Sequence, residues 1–192
     1  MTKEQYDKSI ETGELQLGFW NKVSHFSIVL FLFFVPVLFL GIHLYEYLIG
    51  NSAYFAEGEI KIMIIALVVG VLFYWLQKSR LKFKKISTNL TSKELIPYIE
   101  ELCKEWNWTI SYHSDGIVVA KTNVSFISGS WGEQVTIILN NNIVLVNSIC
   151  DLDKRSSLVS MGHNRENVKA VIDLIANTNA LTTKGKIPLA EN

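Results

Sequence analysis

Residues 26–44 read FSIVLFLFFVPVLFLGIHL, a run without a single Asp, Glu, Lys or Arg. As a helix rising 1.5 Å per residue, the run covers about 28 Å, close to the roughly 30 Å hydrocarbon core of a bilayer. A secretory signal fits poorly. The run is too long, begins late, and is followed by tyrosines instead of a small-residue cleavage site. Pro36 sits mid-run and predicts a kink, because any non-helical backbone in lipid costs more than a bent helix. A second run, residues 62–76, reads IMIIALVVGVLFYWL. It is shorter, but Lys61 and Lys78 flank it and can snorkel, which brings its working length to about 27 Å. Tyr74 and Trp75 mark one end and Tyr45, Tyr47 and Tyr54 the other, as aromatic belts do. The expectation is a two-helix transmembrane hairpin over residues 26–78.

Its orientation follows from the basic residues. The connection 45–60 holds no Lys or Arg and carries Glu46, Glu57 and Glu59. Lys78, Arg80, Lys82, Lys84 and Lys85 follow the second run directly, and Lys3, Lys8 and Lys22 precede the first. Positive charge stays inside, so both termini are expected in the cytosol, with Phe19 and Trp20 at the cytosolic interface. The basic cluster is expected to meet anionic lipid headgroups, each cation contributing on the order of 1 kcal/mol. The whole chain has a formal net charge of zero, which argues against nucleic acid as a partner. Cys103 and Cys150 lie far apart, in no metal-ligand spacing, and read as free thiols inside apolar patterns.

Beyond the hairpin the pattern becomes that of a small α+β domain with the order α-β-β-β-β-α. Thr91 and Glu94 have capping-box spacing, and Leu90 and Leu95 can form a hydrophobic staple. Leu95, Ile99, Leu102 and Trp106 then recur on one helical face, with Pro97 as a local conflict. Trp108, Ile110 and Tyr112 alternate as a strand, and Asp115-Gly116 turns the chain into a partner strand at 117–122. Residues 134–139 and 143–149 make a second hairpin around Asn140-Asn141-Asn142, since Asn tolerates left-handed backbone. A last helix from about Asn164 should bury Val168, Val171, Ile172 and Ile175. The simplest packing is an antiparallel four-stranded sheet with both helices on one face. The expected organisation is thus a cytosolic segment 1–25, the hairpin 26–78, a basic juxtamembrane linker 79–90, a cytosolic domain 91–177 and a flexible tail 178–192.

The run SWGEQVTIILNNNIVLVNSIC at 130–150, with GHNRENV at 162–168, resembles an uncharacterised bacterial family of small cytosolic α+β modules attached to transmembrane segments. Similar modules are appendages on some rhomboid-type membrane proteases. The resemblance covers roughly residues 88–176 and implies no catalytic or binding residues. The spans and the intramembrane serine and histidine of such a protease are missing here. A bacterial cytoplasmic (inner) membrane location is what the resemblance and the charge asymmetry together imply.

Three clusters carry candidate chemistry. His43 and Glu46 share a helix face and, with Glu57 and Glu59, could hold a metal or relay protons. Two protein ligands do not define a site, so a structural interface role is expected there. Arg155, Ser156, Ser157 and Arg165, with Ser160 and His163, lie before a helix start, where a phosphate or carboxylate could bind. The bland reading of that loop is a solvated segment ending in an Asn cap. Ser128 and Ser130 lack the strand-turn-helix setting of a nucleophile elbow. Trp131, in a Gly-containing loop, is either a lid on the core edge or an exposed contact residue. No catalytic, metal or cofactor signature emerges. The chain reads as a membrane-anchored, non-enzymatic interaction or sensing module with a membrane or cytosolic protein partner. The alternative is an accessory subunit of a bacterial membrane transport or envelope complex that packs through its hairpin.

Overall fold

A computed structural model describes residues 1–51, 54–114, 116–123, 131–154 and 162–183. These residues form two compact units: Gly18–Ser79 by itself, and Met1–Leu17 together with Arg80–Asn192.

The first unit holds α2 (Phe19–His25), α3 (Ser27–Leu48) and α4 (Glu57–Arg80). Helices α3 and α4 are long and apolar enough to cross a membrane by length and composition. Between their polar ends the side chains on them are apolar, yet most face outward: Phe31 is 60% exposed and Leu72 63%. Where the two meet, α4 presents small residues. Ala66 and Gly70 are buried one turn apart, and a Cβ on Gly70 would stand 3.3 Å from the Phe33 ring and 3.4 Å from Leu32. Close approach of this kind suits helices whose neighbours are otherwise as apolar as themselves. Pro36 lies inside α3, which continues through it.

The second unit is built on a five-stranded antiparallel sheet in the order β1-β5-β4-β3-β2. The strands are β1 (Lys84–Ser87), β2 (Trp108–Ser114), β3 (Ile117–Thr122), β4 (Glu133–Asn140) and β5 (Ile143–Cys150). The expected four strands are therefore five. The segment 79–90, expected to be a linker, contains the fifth, with Ile86 opposite Val144 and Lys84 opposite Val146. Only Ile86 of that strand packs on the core, and two lysines on a sheet edge hide the alternation that signals a strand. As expected, α5 (Ser92–Glu105) and α6 (His163–Thr183) share one face. Leu95, Ile99, Leu102 and Cys103 of α5, with Val171 and Ile175 of α6, close over Val118, Ala120, Val135, Ile137, Leu139, Val144 and Val146.

Several local expectations meet their geometry. Thr91 and Glu94 form the capping box, the Glu94 carboxylate accepting from the Thr91 amide at 2.7 Å. Asn141 turns β4 into β5 at φ +50°. Gly116 sits at φ +79°, and a Cβ there would come within 2.9 Å of the Leu139 carbonyl, so that position requires glycine. Two helical stripes differ from expectation. Trp106 is exposed as the C-cap of α5 and meets Trp108 edge-on, while Cys103 takes the buried place. On α6 the buried line is Asn167, Val171, Ile175 and Thr178, with Ile172 only half-buried. Two polar residues complete that line because each finds a partner: Asn167 donates to the Ser148 hydroxyl, and Thr178 to the Leu174 carbonyl. The helix also runs on to Thr183, and Asn179 ties it to Thr88, Asn89 and Ser87.

The first seventeen residues belong to this sheet unit. Helix α1 (Lys3–Thr12) carries a capping box of Thr2 and Gln5 and ends at Gly13 in the left-handed region. The chain then pairs antiparallel with the segment after α4: Leu15 N–H donates to the Leu81 carbonyl at 2.7 Å, and Phe83 N–H to the Gly13 carbonyl at 2.9 Å. Leu15, Leu17, Leu81 and Phe83 are all buried. Asn147, on the sheet face away from α5 and α6, donates to the carbonyls of Arg80 and Lys82, which holds that return segment over the face.

Candidate functional site

At the end of the sheet where β3 and β5 stop and β4 begins, charge enters an apolar fold. Lys121 is the one ionisable residue in IVVAKT, the sequence of β3. It reaches Asp151 Oδ1 at 3.0 Å and also pairs closely with Asp153. Asp151 lies directly after β5. Its carboxylate is buried, its amide donates to the Gly132 carbonyl at 2.9 Å, and its Oδ1 accepts from the Asp153 amide at 3.1 Å. Lys154 stands 3.7 Å from Asp151 Oδ2. Burial alone would lower the Lys121 pKa, but hydrogen bonds to Asp153 and Asp151 and the charges of both outweigh it, and the ammonium is held above its ordinary range. Beside this cluster, Thr122 donates to the buried Glu133 carboxylate at 2.6 Å and accepts from the Glu133 amide at 2.8 Å.

The arrangement is a clamp. Lys121 ties the end of β3 to the turn after β5, and Thr122 ties it to the start of β4. Paired in this way, the ammonium is a poor proton donor at neutral pH. Among the described residues no three His, Cys, Asp or Glu side chains converge on a metal-sized site. A lysine within an otherwise apolar strand, followed later by Asp-Leu-Asp after another strand, was the available signal for this cluster, and the sequence reading passed over it.

Of the residues expected to bind an anion, Arg155, Ser156 and Ser157, like Ser160, lie outside the described residues, as do Ser128 and Ser130. Arg165 sits exposed in the first turn of α6 beside Glu166, whose carboxylate is 3.2 Å from His163 Nδ1. Asn164 does not cap that helix. It lies inside the first turn and accepts from the Ser148 hydroxyl at 2.9 Å. Trp131 is 46% exposed, next to the glycine whose carbonyl Asp151 engages.

The cluster expected at the outer end of the hairpin assembles in part. His43 Nε2 lies 3.0 Å from Glu59 Oε2, and its Nδ1 lies 3.5 Å from Glu46. The Phe55 ring packs on the imidazole at 4.0 Å. Glu57 turns away and pairs with Lys61 at 2.6 Å. The imidazole thus joins α3 to α4 at this end.

Within the basic cluster, Lys78 belongs to the hairpin unit, while Arg80, Lys82, Lys84 and Lys85 belong to the sheet unit. The four lysines are exposed, and none of the five cations pairs with a carboxylate among the described residues. No protein-family model, no curated protein and no solved structure matches this chain.

Proposed function

We propose that the chain is a two-pass protein of a bacterial cytoplasmic membrane. Its hairpin is the anchor, and its sheet unit is a cytosolic, non-enzymatic interaction or sensing module. The supporting observation is the outward apolar surface of α3 and α4, which water would not tolerate and acyl chains would cover. The pairing of residues 13–15 with 81–83 adds to it, because an even number of crossings returns the chain to the side it left. Orientation rests on charge: Lys22 and Lys78 lie toward one end of the hairpin and Glu46, Glu57 and Glu59 at the other. The unpaired lysines would then face anionic headgroups. Exposed Trp131 is the contact residue we assign to a protein partner, and Arg155, Ser156, Ser157 and Arg165 are the residues we assign to a small anion.

The test is thiol labelling in intact cells, with both native cysteines replaced by alanine. A cysteine at Asn51 should react with a membrane-impermeant maleimide, and one at Lys93 only after lysis. The reverse pattern would place the sheet unit outside and end the cytosolic reading. A second reading, as a subunit that packs through its hairpin, draws on Gly41 of α3. A Cβ there would meet nothing within 4 Å, so a partner helix could approach closely.

A further inference from the structure

The hairpin unit is not a plain pair of rods at its basic end. The short helix α2 precedes α3, and the junction between them is pinned: buried His25 donates from Nε2 to the Gln77 carbonyl of α4 at 3.0 Å. Phe26, one residue on, lies against Tyr74 with ring centroids 5.7 Å apart. The bend and the pin together leave a groove of about 350 Å³, lined by Val23, Phe26, Val29, Leu30, Phe33 and Tyr74. That volume lies at the small end of the range for ligand sites. Five of the lining side chains are hydrocarbon or phenyl and Tyr74 adds an aromatic ring, and the single charged residue is Lys22. Lys22 is exposed and has no carboxylate partner among the described residues. Lys78 follows Gln77 directly, so a second exposed cation stands at this end of the hairpin. Phe19 and Trp20 on α2 are 71% and 78% exposed, as side chains at a headgroup layer are.

We infer that this groove is a binding site for one anionic phospholipid, with an acyl chain laid along the apolar wall and the phosphate on Lys22. Charge complementarity selects the occupant. An alkyl chain matches a wall of aliphatic and aromatic side chains, and a cation beside it distinguishes an anionic head from a zwitterionic one. The His25 pin means the walls are already in place, so little ordering opposes binding. This site rests on the membrane reading above, and it goes further by specifying a lipid class and a place.

Native mass spectrometry of the full chain tests it, with protein released from detergent micelles holding equal phosphatidylglycerol and phosphatidylcholine of identical acyl chains. The wild type should retain one phosphatidylglycerol about fivefold in preference to phosphatidylcholine, the discrimination one lysine provides near a headgroup. Lys22→Gln should bring that preference to about one while some lipid of either kind is still retained. Val23→Trp, which fills the groove, should remove both adducts. Full preference in Lys22→Gln, or unchanged retention in Val23→Trp, would overturn the site. Carbonate washing of the membranes separates this from the parent reading: wild-type protein released by the wash would mean that the hairpin is no anchor, whatever the lipid result.

Discussion

Ile65 of α4 and Ile175 of α6 are the same side chain in long helices, and they end in opposite surroundings. Ile65 is 61% exposed and Ile175 is completely buried. The difference lies in what occupies the rest of each helix. Around Ile175 the other positions are Lys169, Asp173, Asn177 and their like, so one stripe must face a core and the remainder water. Around Ile65 every direction is apolar, so no stripe is preferred, and the helix suits a surrounding that is itself apolar. Hydrophobicity alone therefore does not locate a core. Its angular distribution does.

The largest effect expected from this contrast is in the sheet unit. Ile175→Ala should cost about 2–5 kcal/mol through lost transfer energy and an unfilled cavity, whereas Ile65→Ala, on the outward side of α4, should barely move the denaturant midpoint of the full chain in detergent. Equal losses would mean that Ile65 packs against a protein surface, and the second reading of the hairpin would gain. A charge sharpens the comparison from the other side. Val68→Lys, on an outward position at the middle of the run 62–76, should raise the insertion cost by roughly 2.5–3.5 kcal/mol, visible as a smaller carbonate-resistant fraction. If the variant stays fully resistant, α4 does not cross the bilayer at that point.

The third effect is set by pH. The buried thiol of Cys103 is pushed up from 9.0 to about 11, first by burial and then by the charge of Glu100. In the unfolded chain the proton leaves near the ordinary value. The contribution of the neutral thiol is thus complete below about pH 9 and is lost as pH rises through about 11. The loss amounts to about 2–3 kcal/mol. Urea midpoints at pH 8 and pH 11 should fall further for the wild type than for Cys103→Ala. Parallel declines would show that Cys103 is not desolvated.

The regions differ also in how openly the sequence declares them. The apolar runs at 26–44 and 62–76 required only counting, and their helices are where the count places them. In the sheet unit, β2 through β5 and both covering helices were legible because alternation, Asn and Gly turns and a capping box agreed with one another. Strand β1 was not, since Lys84 and Lys85 read equally well as juxtamembrane charge. The true face of α6 was hidden by Asn167 and Thr178, polar residues that are buried because their partners, Ser148 and the Leu174 carbonyl, come from the fold. For the same reason the Lys121–Asp151 clamp escaped notice: its members are thirty residues apart, and only the sheet register brings them together. The place of residues 1–17 in the sheet unit depends on pairing with residues 81–83, a long-range contact to which no local pattern points.

On the membrane reading proposed above, that last pairing ties synthesis to insertion. Residues 13–15 leave the ribosome first and must wait for 81–83, which follow only after both long helices have been made. In a free coil, closing such a loop would cost on the order of 4 kcal/mol. A hairpin threaded through the bilayer brings its own ends back to one side and removes most of that cost. A chain with one helix threaded and the other left behind has its two strand partners on opposite sides of the membrane, with Leu15, Leu17, Leu81 and Phe83 bare. The cell's proteases meet such a chain as an unfinished domain. If the hairpin is the anchor we propose, completion of the sheet unit reports that it has been inserted.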